Sequence, residues 1–95
     1  MGRIKDIFKN MSIADKLIAI GFDYGVGAQG EIGYVRTFQD GDCCLWATVS
    51  FHDNKLYLYN EFDCGDLLWQ RNCNIPEDVL EDCDKFIEWL DEEVG

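Results

Sequence analysis

The period of the apolar positions changes twice along the chain. Ile4, Ile7, Phe8 and Met11 recur at helical spacing, and Ser12 with Asp15 reads as a capping box ahead of Ile13, Leu17, Ile18 and Ile20. This predicts two short helices or one bent helix, stopped at Gly21. The stretch from Gly21 to Gly33 holds five glycines and reads as a loop running into a strand. From Gly30 the pattern becomes an alternation, punctuated by the turn dipeptides Asp40-Gly41, Asp53-Asn54 and Cys64-Gly65.

Two-residue turns at the first two of these dipeptides fix a register. The first pairs Phe38 with Cys43, Arg36 with Leu45, Tyr34 with Ala47 and Ile32 with Val49. The second pairs Phe51 with Leu56, Val49 with Leu58, Ala47 with Asn60 and Leu45 with Phe62. Both turns put the same residues on one face, and because a one-residue slip would invert every side chain, the agreement predicts an antiparallel meander. A further strand is expected from Leu67 to about Asn72, with Trp69 on the inner face opposite Asn60. Pro76 then suits a first helical position, and a last helix to about Glu93 carries an inward stripe of Val79, Leu80, Cys83, Phe86, Ile87 and Leu90. The expected fold is a single α+β domain over residues 1–95: an N-terminal helix or helices, a three- to four-stranded antiparallel meander and a C-terminal amphipathic acidic helix. Leu45, Val49, Phe51, Leu58 and Phe62 should lie buried against Val79, Phe86 and Leu90.

Composition narrows the function. With 95 residues the chain can build one modest core, which excludes a large multidomain enzyme, and 47% hydrophobic residues exclude a disordered acidic tail. The net charge of -11 is concentrated at one end: from Glu61 onward twelve acids face only Arg71 and Lys85. A field of that sign repels phosphates and anionic lipid and steers cationic surfaces inward, so the expected partner is a basic protein, not nucleic acid or membrane. The sequence shows no apolar run long enough to span a bilayer and no secretion signal, and the expected location is the cytoplasm.

Candidate chemistry is sparse. Gly25-Val26-Gly27-Ala28-Gln29-Gly30 matches the G-x-G-x-x-G fingerprint, but it follows a helix and enters a strand, so no helix N-terminus would face a pyrophosphate. His52 is the one histidine, and Cys43 and Cys44 begin the strand that it ends, about 26 Å away at ~3.3 Å per residue, too far for a Cys-His dyad. Five cysteines without a C-x-x-C pair fit neither a zinc ribbon nor a disulfide framework and read as reduced thiols. No catalytic residue, cofactor or metal is expected, and the protein reads as non-enzymatic.

Two surfaces stand out as partner-binding candidates. The outer face of the sheet should carry Trp46, Tyr57 and Tyr59, with Glu61 opposite Trp46; aromatic anchors of this kind are favoured at protein interfaces. Along the last helix Glu77, Glu81, Asp84, Glu88 and Asp91 fall opposite the apolar stripe, flanked by Asp78, Asp82 and Glu92. On one continuous helix the nine acids from Glu77 to Glu93 give about one charge per 2.8 Å of axis, within a factor of two of the ~1.7 Å of duplex DNA. Like charges three and four apart cost helix stability, so such a ridge calls for a use.

In its size, its helix–meander–helix layout and the acidic run from Pro76-Glu77-Asp78 to Glu92-Glu93, the chain resembles small acidic proteins of phages and mobile elements, the anti-CRISPR proteins and other DNA mimics. The resemblance implies inhibition by occlusion in the host cytoplasm, with carboxylates displacing a nucleic acid from Lys and Arg of a nuclease or CRISPR effector subunit. Two alternatives are an immunity protein that neutralises a basic toxin and an intracellular adaptor using Trp46, Tyr57 and Tyr59.

Overall fold

The computed structural model describes residues 12–95 apart from residue 64. The helix expected over Ile4 to Met11 lies outside the described residues. Helix α1 (Ile13–Ala19) opens on Ser12, whose Oγ accepts the Asp15 N–H at 3.1 Å, as the capping box predicts. It closes on Gly21 at φ +107°, with the Phe22 N–H on the Leu17 carbonyl at 2.9 Å and the Gly21 N–H on that of Ile18 at 3.1 Å. Only glycine adopts that φ without strain, and the resulting Schellman cap brings Phe22 back onto Leu17, both fully buried.

Five strands follow: β1 (Asp23–Val26), β2 (Ile32–Asp40), β3 (Cys43–Ser50), β4 (Lys55–Phe62) and β5 (Leu67–Asn74). They form one antiparallel sheet in the order β1-β2-β3-β4-β5, every strand lying beside its neighbour in sequence. The strands number five, not three or four, because the glycine-rich stretch contributes β1. The G-x-G-x-x-G segment is the β1–β2 hairpin, with Gly30 at φ +85° and its N–H on the Gly27 carbonyl at 3.1 Å.

The expected faces hold, while two registers move. Asp40 pairs with Cys43 around Gly41-Asp42, and Ser50 pairs with Lys55 around a four-residue loop from Phe51 to Asn54. Phe38 thus faces Leu45, not Cys43, and Val49 faces Leu56, not Leu58. Each slip is by two residues, which preserves the side of every side chain. Asn60 pairs with Trp69 as predicted, next to an irregularity between Asn60 and Glu61.

The core lies on one face of the sheet. Ala47, Val49, Leu56 and Leu58 point to Leu17, Phe22, Ile75, Val79, Phe86 and Leu90, all buried. Leu45 and Phe51 are half-buried. Phe62 is 40% exposed and not part of the core, because it sits at the end of β4 beyond the reach of the helices. The acidic C-terminal segment is also not one helix. Glu77–Glu81 is a 3-10 turn, Asp82 is extended at φ -143° and ψ 121°, and helix α2 runs from Cys83 to Val94. Asp82 breaks the segment because its carboxylate serves as the N-cap of α2, accepting the Asp84 N–H at 2.8 Å and the Lys85 N–H at 3.4 Å.

Candidate functional site

The acidic residues surround a docked helix. Phe86 and Leu90 hold α2 to the sheet, which leaves Asp84, Glu88, Asp91 and Glu92 exposed; Glu77, Asp78 and Glu81 are exposed on the 3-10 turn. The expected rod is therefore two facets joined at Asp82. Five acids on the twelve residues of α2 give about one charge per 3.6 Å at ~1.5 Å per residue. The 3-10 turn carries three acids on five residues, about one per 3.3 Å at ~2.0 Å per residue. Both values stay near twice the ~1.7 Å spacing of duplex DNA. Glu93 is taken up differently: Arg71 of β5 donates to its carboxylate at 3.2 Å and to its carbonyl at 3.0 Å, tying the end of α2 to the sheet.

The aromatic candidates lie elsewhere. Trp46, Tyr57 and Tyr59 alternate with Ala47, Leu56 and Leu58 and so occupy the face away from α2, Trp46 opposite Tyr59 and Tyr57 opposite Thr48. All three are half-buried. Trp46 Nε1 donates to Glu61 Oε1 at 3.2 Å, and the Tyr57 hydroxyl donates to Asp53 Oδ2 at 2.8 Å. That hydrogen bond, with the negative charge of Asp53, raises the Tyr57 pKa above its ordinary value. The sheet thus separates the two candidate surfaces, and a flat partner face meets one or the other. The β1–β2 loop closes over part of the outer face: Gly27 is buried against Thr48 and Glu31, and a methyl group on Gly27 would overlap both.

Thiol chemistry finds little support in the electrostatics. Burial, seconded by neighbouring carboxylates, raises the pKa of Cys44, Cys73 and Cys83, which keeps these thiols protonated and weakly nucleophilic. Cys43, Cys44 and Cys73 are free thiols. Cys43 opens β3, and His52 lies not in that strand but in the loop beyond its far end. Among the described residues no cluster of His, Cys, Asp and Glu has the makings of a metal site, and no helix is long and apolar enough to cross a membrane.

A third surface was not anticipated. At the end of the sheet that bears the Gly41-Asp42 turn, α2 stops at Val94 and the inner face continues past it. A cleft of about 480 Å³ opens there, lined by Phe38, Asp40, Cys43, Leu45, Asn60, Trp69 and Val94. Beside it β5 is an edge strand among the described residues, with Leu67 50%, Leu68 42% and Trp69 39% exposed. The signal in the sequence is the run Leu67-Leu68-Trp69, since an alternating strand cannot turn three consecutive apolar residues to one face. Compared with known proteins, the chain matches no family model, and neither the curated proteins nor the solved structures contain a significant match to it.

Proposed function

We propose that this protein is a non-enzymatic acidic inhibitor, of the anti-CRISPR or another anti-defence type, that binds a basic nucleic-acid-handling protein and occludes its DNA or RNA site. The observation that carries the reading is the division of labour in the C-terminal segment. Its apolar residues fasten it to the sheet, while Glu77, Glu81, Asp84 and Glu88 stay exposed and contribute nothing to the core. Carboxylates spaced at about twice the interval of duplex phosphates, on a base fixed by Phe86, Leu90 and the Arg71–Glu93 pair, offer Lys and Arg a preorganised anionic surface.

The test replaces Glu77, Glu81, Asp84 and Glu88 by Gln or Asn. Both forms serve as bait in a lysate fraction enriched in nucleic-acid-binding proteins on heparin, and the retained protein is titrated with each. The quadruple variant should fold normally, bind at least ~10-fold more weakly, about 1.4 kcal/mol, and show a flatter salt dependence. Duplex DNA or guide RNA should compete with the wild type. Equal binding by the variant, or simultaneous binding of nucleic acid, would overturn the proposal. Capture of a single toxin without nucleic-acid competition would favour the immunity-protein alternative.

A further inference from the structure

We infer that the cleft beyond the end of α2 is a receptor for a guanidinium or ammonium side chain of the basic partner, a pocket that the acidic facets serve by attraction but do not form. The inference rests on the proposed function for the sign of the partner and on the cleft for everything else. The walls are apolar and aromatic: Phe38, Leu45, Trp69 and Val94. A cation on an alkyl stem is the ligand that uses such walls fully, the stem lying on Leu45 and Val94 and the charge meeting an aromatic face. The protein already shows this chemistry on the same sheet face, where the Arg36 guanidinium carbon lies 4.4 Å from the centroid of the Phe38 ring.

The ionised side chain of the cleft is a carboxylate. Asn60 Oδ1 is buried and takes no hydrogen bond from any described residue, and Asp40 contributes a carboxylate to the lining. Val94 ends α2, a twelve-residue helix whose C-terminal carbonyls carry partial negative charge. A carboxylate and a helix C-terminus beside aromatic walls favour a cation over a phosphate or carboxylate. The location suits a partner as well. The cleft adjoins the outer edge of β5, which no described strand pairs with and whose only ionised side chain, Arg71, is engaged by Glu93, so a partner's backbone can approach Leu68 and Trp69 without meeting an unpaired charge of β5.

The probe is butylguanidinium chloride, titrated into the isotopically labelled full chain at constant chloride, with neutral butylurea as the matched control. The Trp69 indole N–H and the Asn60 side-chain amide should shift saturably with butylguanidinium, in roughly the ten-millimolar range for a ligand of this size, and at least ~10-fold more weakly with butylurea. Asp40→Asn, which removes the carboxylate of the cleft, should weaken the shift of Trp69 at least ~3-fold. Phe38→Leu, which removes an aromatic wall and keeps the Trp69 reporter, should weaken the shift by a similar factor, and an unchanged shift in both variants would overturn the inference. The quadruple variant of the acidic facets should leave cleft binding within ~3-fold.

Equal affinity for butylurea would make the cleft merely apolar, and shifts confined to the acids of α2 would place the cation elsewhere. Either result overturns the pocket and leaves the acidic facets to be judged by their own competition assay. Concentration-dependent dimerisation abolished by Leu68→Lys would assign the edge to a second copy of the chain, and would also overturn the inference.

Discussion

The inner face of the sheet is built from one alternating pattern, yet its two ends have opposite fates. At the end near the Phe51–Asn54 loop, Val49, Leu56 and Leu58 are fully buried beneath Phe86, and a succession of rings runs from Tyr34 through Phe51 and Phe86 to Trp89 at centroid distances of 5.9, 6.1 and 5.8 Å. At the other end Phe38 and Leu45 are half-buried, and Trp69 and Phe62 are 39% and 40% exposed. The residue types are alike. What differs is the covering helix: α2 ends at Val94, held there by Arg71 on Glu93. Hydrophobic periodicity selects a face, and the length of the partner element decides how much of it becomes core.

Truncations placed along this gradient test the distinction by urea unfolding. Phe86→Ala, at the centre of the covered end, should cost about 3–5 kcal/mol, since the fully buried ring leaves a cavity its neighbours cannot close. A loss below ~1 kcal/mol would mean that α2 is not docked as described. Leu45→Ala, at the boundary, should cost about 1–2 kcal/mol, in proportion to its partial burial. Trp69→Ala, at the open end, should cost only about 1–2 kcal/mol, less than Phe86→Ala although it removes a larger side chain, because 39% of the residue is already in water. If the order of Phe86 and Trp69 were reversed, the open end would be core and the cleft a packing defect.

Much of this was legible in the sequence. The Ser12 cap, the stop at Gly21, the Asn60–Trp69 pairing and the stripe of Val79, Phe86 and Leu90 all follow from local rules that the structure obeys. The two-residue slips went unseen because the faces are identical in either register, and only the turn geometry tells them apart: Gly41 takes φ +60° and Asn54 φ 54°. Strand β1 was missed because four residues, Asp23 to Val26, are too few for an alternation to register, and Gly25 and Gly27 argue for a loop. The break at Asp82 was missed because Asp is as acceptable on a solvated helix surface as at an N-cap. The cleft at the end of α2 lay beyond any local reading, since where a helix stops relative to a strand remote in sequence is a property of tertiary packing.

The neighbour-by-neighbour order of the sheet also sets how the chain is assembled. Each strand finds its partner across a single short turn, so every ladder closes at the small entropic cost of a hairpin, and the sheet can grow from any of its turns in either direction. The most distant rendezvous among the described elements is that of α1 with α2, which puts Leu17 and Phe86, from opposite ends of the described residues, in one core. The intervening sheet acts as a spacer that delivers the two helices to one face, and the closure entropy of that long loop is reduced strand by strand before the helices meet.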